Sequence, residues 1–381
     1  MQELFVDTEK KLTELCRVLQ DSDFIALDTE FLREKTYYAH LCLLQLATED
    51  LIACVDPLAL SDLSPLLDVL YQPSSTKIMH SARQDLEIFY DLRGALPTPL
   101  YDTQIAATLL GFGDQLGYAN LVKAMLSTTL DKAHSRTDWQ KRPLDTAQLR
   151  YAVDDVRYLI PIYRLQQSML QEKGRENWLE QDFNHLADIN VYAPPLDNLW
   201  KRVRGVQTLK DIQLAVLQGL CRWRELLARQ LNRPRRWVVG DEVLVDLARK
   251  MPANLAALEK TRGFNSSLKK NAGAVLAEIE TARALPVDQW PGDKRTKALA
   301  TDKEALVDIL MAIVRIRAHQ NGVTPAVLAT RKDLEALIMG GEDVSVLSGW
   351  RYELAGKAIY GFLSGDMQLR LLGEAITIDD V

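Results

Sequence analysis

The sequence predicts an α/β domain, a mixed sheet with flanking helices, over residues 1–190, followed by two small all-α domains over 208–288 and 296–375. Three observations predict it. Short apolar runs bounded by polar residues fall within the first eighty positions. Helical periodicity replaces them after Pro195, and a weak internal repeat runs through the helical part. A chain of 381 residues is itself long enough for two or three domains. The joints are marked by proline, at Pro194-Pro195 and again at Pro286 and Pro291.

Taken in order, residues 9–20 carry a helical pattern, and then three strands follow: Phe24–Leu27, Leu41–Leu46 and Leu51–Val55. A helix over 62–71 and a short strand at Lys77–Met79 come next, then helices over 82–92, 102–110 and a long one over 145–173. Three consecutive strands followed by helix–strand units imply a mixed sheet covered by helices. In the helical part, Arg224 and Pro234 match Arg315 and Pro325. Trp237 and Leu244 match Val327 and Leu334, and Gly263, Phe264 and Leu268 match Gly349, Trp350 and Leu354. The offset drifts, as loop-length changes between two copies of one helical fold would make it.

Composition excludes several classes. With 47% hydrophobic and 26% charged residues, the chain is an ordinary globular one, neither disordered nor fibrous. Its four cysteines lie far apart with no CxxC pair, which suits a reducing compartment rather than a disulfide frame or a zinc site. No segment approaches a membrane span, and the charged N-terminus lacks the apolar core of a signal peptide, so the expected location is cytoplasmic. The net charge of −6 excludes a globally basic coat. Residues 201–240 nevertheless carry ten Lys and Arg against Asp211 and Glu225, leaving −14 for the rest of the chain. Such polarisation suits one part that grips a polyanion and another that does metal chemistry; a solvated helix face is the plainer alternative.

The acids identify where that chemistry sits. Asp28-Thr29-Glu30 follows the apolar run directly, and strand alternation points Asp28 and Glu30 to one side. Paired carboxylates repel unless a cation lies between them, although at a strand end they can simply be solvated. Tyr151 and Asp155 are one helical turn apart on a semi-buried face, where a carboxylate needs a partner. Asp85 falls early in the helix that follows the strand ending near His80, while Glu87 should point elsewhere. Four acids and a phenol from three segments form a hard-oxygen set suited to Mg²⁺ or Mn²⁺. Two such ions suit in-line attack on a phosphodiester.

Asp28-Thr29-Glu30-Phe31, Asp85 and Tyr151-x-x-x-Asp155 resemble, in order, the three motifs of the DEDD 3′–5′ exonucleases. They are similar to the subgroup with tyrosine in the third motif; Arg150 stands where the other subgroup has histidine. The stretch Ser135–Leu144, through Asp138, Trp139 and Arg142, resembles the ribonuclease D family, with His134 in the lead-in where a Gln-like residue is expected. The helical repeats resemble HRDC domains, which bind nucleic acid. No phosphate-binding Gly-rich loop accompanies them, so neither a helicase motor nor a nucleotide cofactor is expected.

The resemblance implies an RNase H-like exonuclease fold that hydrolytically trims RNA 3′ ends, tRNA precursors among them, and releases 5′-mononucleotides. It implies two divalent ions held by Asp28, Glu30, Asp85 and Asp155, with Tyr151 orienting or deprotonating the attacking water. Phe31 and Leu32 would wedge against the terminal base. His80, Lys141 and Arg142 are candidates for substrate contact, against structural readings for His80 and for Trp139 as packing. Arg235 and Arg236 are candidates for RNA binding, while Trp200, Trp223 and Trp237 read mostly as core. The expected partner is RNA with a single-stranded 3′ end. Two rival functions are weighed: a DNA 3′–5′ exonuclease in repair, which the metal ligands alone cannot separate from an RNA enzyme, and a non-catalytic nucleic-acid-binding scaffold. The scaffold fits poorly, since all four acids and the tyrosine are present.

Overall fold

A computed structural model describes residues 1–131, 137–292 and 300–381. His134, Ser135 and Arg136 of the lead-in, and the expected start of the second helical domain at residue 296, lie outside the described residues. The first part is built on six strands: β1 (Gln2–Val6), β2 (Phe24–Leu32), β3 (His40–Ala47), β4 (Leu51–Val55), β5 (Thr76–Met79) and β6 (Leu100–Asp102). Their order in the sheet is β1-β4-β3-β2-β5-β6. β2, β3 and β4 form an antiparallel meander, while β1 runs parallel to β4 and β5 and β6 run parallel to β2. The expected mixed sheet is therefore present, with β1 and β6 added at its edges.

Alternation along the strands sorts the two faces. Ile25, Leu27, Leu44 and Leu46 pack beneath α1 (Glu9–Gln20), α2 (Ser64–Leu70) and α3 (Arg83–Arg93). Ala26, Leu43, Ala47, Ile52 and Cys54 face the other way. That second face is covered by α4 (Thr103–Leu109), α6 (Thr146–Arg157) and α7 (Leu159–Glu172), with α5 (Tyr118–Leu126) behind them. Burial on both faces explains why the strands read as near-continuous apolar runs. The long helix expected over 145–173 is two helices, α6 and α7, meeting at Tyr158. Pro161 has no N–H for the carbonyl of Arg157, and the Tyr158 N–H, turned toward the Val156 carbonyl at the end of α6, also donates to the Tyr118 hydroxyl at 3.2 Å.

After α8 (Leu179–Leu186) and a short α9 (Ile189–Tyr192), the chain becomes helical. The first helical unit comprises α10 (Ile212–Gln230), α11 (Arg235–Val238), α12 (Asp241–Lys250), α13 (Leu255–Leu258), α14 (Ser266–Lys270) and α15 (Ala272–Arg283). Its core gathers Leu217, Leu220, Leu244, Leu247, Leu268 and Ile279. The second comprises α16 (Thr301–Asn321), α17 (Pro325–Leu328), α18 (Arg331–Ile338), the single turn α19 (Gly349–Arg351) and α20 (Lys357–Ser364), around Leu310, Val314, Leu334 and Ile359. Two of the repeat pairs hold like positions in their units: Pro234 precedes α11 as Pro325 opens α17, and Leu244 and Leu334 are fully buried on α12 and α18. Arg224 is buried and bonded to the Val239 carbonyl and Asp241, whereas its counterpart Arg315 is exposed. The second unit is not purely helical. A hairpin, β7 (Met367–Leu372) and β8 (Ala375–Asp380), follows α20 and crosses the expected limit at 375.

Both helical units dock on the sheet domain. The β2–β3 loop sends Tyr37 into the first unit, where its hydroxyl donates to Glu225 and accepts from Arg229 and Arg235 at 3.1 and 3.0 Å. The Tyr37 and Tyr38 amides donate to the Asn232 side chain at 3.0 and 3.1 Å. In the second unit Trp350 stacks on Trp178, ring centroids 4.4 Å apart. Arg351 pairs with Asp182 and Gln181, and Arg175 donates to the Leu109 carbonyl and to the carbonyls of Asn321 and Gly322.

Candidate active site

The C-terminal half of β2 delivers Asp28 and Glu30 at the middle of the sheet, on the face covered by α6. A bulge between Glu30 and Phe31 shifts the register there, and pairing resumes at Phe31 with Leu41. α6 begins in a capping box, Asp145 with Gln148, which fixes the helix so that Tyr151 and Asp155 project one turn apart. Asp85 lies in the first turn of α3. The start of that helix is held by Asp102, whose carboxylate accepts from the Ser81 and Ala82 amides while also capping α4. Three segments far apart in sequence thus open on one cavity of about 340 Å³. It is lined by Asp28, Glu30, Asp85, Tyr151 and Asp155, with Phe31, His80, Gln84 and Tyr118 beside them.

Among the described residues no lysine or arginine lines this cavity, and the electrostatics follow. Burial, then the neighbouring Asp85, Asp155 and Glu30, hold the Asp28 carboxyl well above its usual range. Burial and the charges of Asp155 and Asp85 push Glu30 up to about 8. Burial lifts Asp155 to about 7, opposed by its hydrogen-bonding contact with Tyr151. Asp85 rises to about 6 through burial, restrained by the Thr29 hydroxyl that donates to it. Burial and the nearby carboxylates keep the Tyr151 phenol protonated far above neutrality. Four carboxylates crowded without a counter-charge need either protons or a cation.

The donor set fits a hard divalent cation, being all oxygen and acidic. Among the described residues no three His, Cys, Asp or Glu side chains are gathered tightly enough to hold an ion as they stand. Asp85 is engaged by the Thr29 hydroxyl, which donates to it.

The remaining candidates are placed as follows. Phe31 lines the cavity; Leu32 is half-buried against the adjoining core and does not. His80 lines it too, with Nδ1 at 2.9 Å from the Thr103 hydroxyl and its ring against Tyr118. Arg142 makes a two-pronged pair with buried Asp56 and donates to the Cys42 carbonyl, tying the lead-in to the sheet. Trp139 is core, 2% exposed. Arg235 is turned onto Glu225 and the Tyr37 ring, while Arg236 beside it is exposed and its side chain forms no hydrogen bond or ion pair among the described residues. Trp200 and Trp223 are core, but Trp237 is exposed. Sequence reasoning missed Thr29, Asp102 and Tyr118. Thr29 alternates away from Asp28 and reads as a spacer, and only tertiary contacts bring the other two to the site.

The sheet, the cavity of acids and the helical appendage define a 3′–5′ exonuclease. A family profile described as 3′-5′ exonuclease matches residues 4–171, and an HRDC domain profile matches residues 213–279. Ribonuclease D of Zymomonas mobilis is 40% identical over 93% of this chain and 93% of its own, and that of Jannaschia sp. 36% identical over 99% of each. The crystal structure of Escherichia coli RNase D, described as an exoribonuclease involved in structured RNA processing, superposes with a TM-score of 0.84. It is 31% identical and covers 96% of this chain and 99% of that one. The chain belongs to the ribonuclease D family of 3′–5′ exoribonucleases.

Proposed function

We propose that the protein shortens RNA hydrolytically from a single-stranded 3′ end, releasing 5′-mononucleotides, with tRNA precursors among its substrates. The observation that carries this reading is the single cavity on which four carboxylates and a protonated phenol converge, with no cationic side chain among the described residues that line it. Asp28, Glu30, Asp85 and Asp155 would hold two divalent ions, Mg²⁺ or Mn²⁺. Such ions supply charge to stabilise the attacking and leaving oxygens of an in-line displacement. Tyr151 would orient the attacking water, or deprotonate it where the ions lower its pKa. Phe31, on the cavity wall, is placed to abut the terminal base. The units 1–190, 208–288 and 296–375 divide the labour between chemistry and RNA binding. Four buried free cysteines suit work in the reducing cytoplasm.

The test is a gel time course with 5′-labelled RNA bearing a single-stranded 3′ tail, beside the matching DNA, in Mg²⁺, in Mn²⁺ and in chelator. Stepwise shortening of RNA, lost in chelator and in Asp28→Asn or Asp155→Asn with RNA binding retained, is expected. Near-normal turnover by either variant refutes the site, and equal shortening of DNA refutes the RNA assignment.

A further inference from the structure

Gln45 lies at 0% exposure in the middle of β3, and neither its amide nitrogen nor its amide oxygen has a hydrogen-bond partner among the described residues. A buried amide left wholly unpaired is costly, so a native sequence that keeps one needs a reason. Its place in the sheet supplies one. Leu44 and Leu46 pack on the face of α1, while Leu43 and Ala47 belong to the face of α6, so Gln45 projects with the latter. Its cross-strand partner on β2 is Asp28, and on its other side it is paired with Cys54. Cross-strand partners leave the sheet on one side, about 5 Å apart at Cβ. Cys54 in turn lies close enough to Asp155 for that carboxylate to raise its thiol pKa, after burial and Glu3. The unpaired amide therefore leaves the sheet beside Asp28, on the face that α6 and its Asp155 cover.

We propose that Gln45 is a positioning residue for the metal site: in the loaded protein its amide N–H groups donate to the carboxylates of Asp28 or Asp155 and fix their orientation. The inference rests on the assignment of those two acids as ligands. A ligating carboxylate is itself usually hydrogen-bonded from behind, and loss of such a partner lowers metal affinity about 10- to 100-fold. An apolar side chain of the same length relieves the unpaired amide when no metal is bound and cannot support the carboxylates when it is.

Those two effects have opposite signs, which separates positioning from packing. Gln45→Met and Asp28→Asn are compared with the parent protein by Mn²⁺ titration calorimetry and by thermal unfolding in chelator. Gln45→Met should bind Mn²⁺ at least tenfold more weakly, with an unfolding temperature in chelator equal to or above the parent's. Asp28→Asn should lose Mn²⁺ binding outright. If Gln45→Met binds Mn²⁺ like the parent while Asp28→Asn does not, Gln45 has no positioning role. A lower unfolding temperature in chelator with unchanged Mn²⁺ affinity makes it a packing residue and overturns the proposal. If Asp28→Asn also binds normally, the ligand assignment fails and the proposal with it.

Discussion

Tyr37→Phe removes one oxygen from the joint between the sheet domain and the first helical unit. That oxygen donates to Glu225, whose carboxylate is 1% exposed, and accepts from Arg229 and Arg235. A hydrogen bond to a charged group contributes about 1.5–3 kcal/mol. The lower end applies, because Glu225 keeps both arginines as partners and the ring keeps its contacts with their guanidinium groups at 5.7 and 4.9 Å. The loop reports its own docking, since the Tyr37 and Tyr38 amides donate to Asn232 across the joint. A cost of about 1.5 kcal/mol speeds their exchange with deuterium roughly tenfold, at about 1.4 kcal/mol per decade. Native-state hydrogen exchange read on the 33–39 peptide measures it, with peptides of β4 as an internal standard that should not change. Unaltered exchange in the loop would show that the hydroxyl contributes nothing to docking and that the Asn232 contacts and the two guanidinium groups on the Tyr37 ring hold the joint.

Three other expectations follow from the same contacts. Gly111→Ala introduces a side chain at φ +86 whose Cβ would lie 2.6 Å from the Gly322 carbonyl oxygen, so about 2 kcal/mol or more of stability should be lost, read by thermal unfolding. In chelator, stability should fall as pH rises from about 4.5 to 8. The Glu30 carboxyl is raised from its ordinary range to about 8 in the fold, so the folded state binds more protons than the unfolded chain in that window. Saturating Mn²⁺ should flatten the slope, and a chelator profile rising toward pH 8 would contradict it. Arg236→Glu should weaken RNA binding and its salt dependence with unchanged stability. Arg235→Glu, which sets a second carboxylate against Glu225, should destabilise the joint; equal loss of RNA affinity in both with no loss of stability would be contrary.

What was legible in the sequence is what local periodicity encodes. Alternation along β2 placed Asp28 and Glu30 on one face, and the spacing of four placed Tyr151 and Asp155 together, before any tertiary contact was known. Asp85 could be placed because the turn after His80 starts a helix. Partners distant along the chain were not legible. Arg142 and Arg235 read as free positive charge, yet one is tied to Asp56 and the other to Glu225 and the ring of Tyr37. A charge is available to a phosphate only where the fold leaves it unpaired, and pairing is decided by elements the local pattern does not see. The break at Tyr158 was missed for a related reason: Pro161 is tolerable in a first helical turn, so the pattern runs through it. The hairpin after α20 has no core of its own to announce it and rests on the second helical unit through Met367, Leu369 and Ile378.

The two dockings on the sheet domain, at Tyr37 and at Trp178 with Arg175 and Arg351, have a joint consequence. Each contact closes intramolecularly, so while one holds, the other re-forms at the effective concentration its tether imposes, in the millimolar range for short connections. A helical unit that lets go is therefore recaptured many times before both are free together.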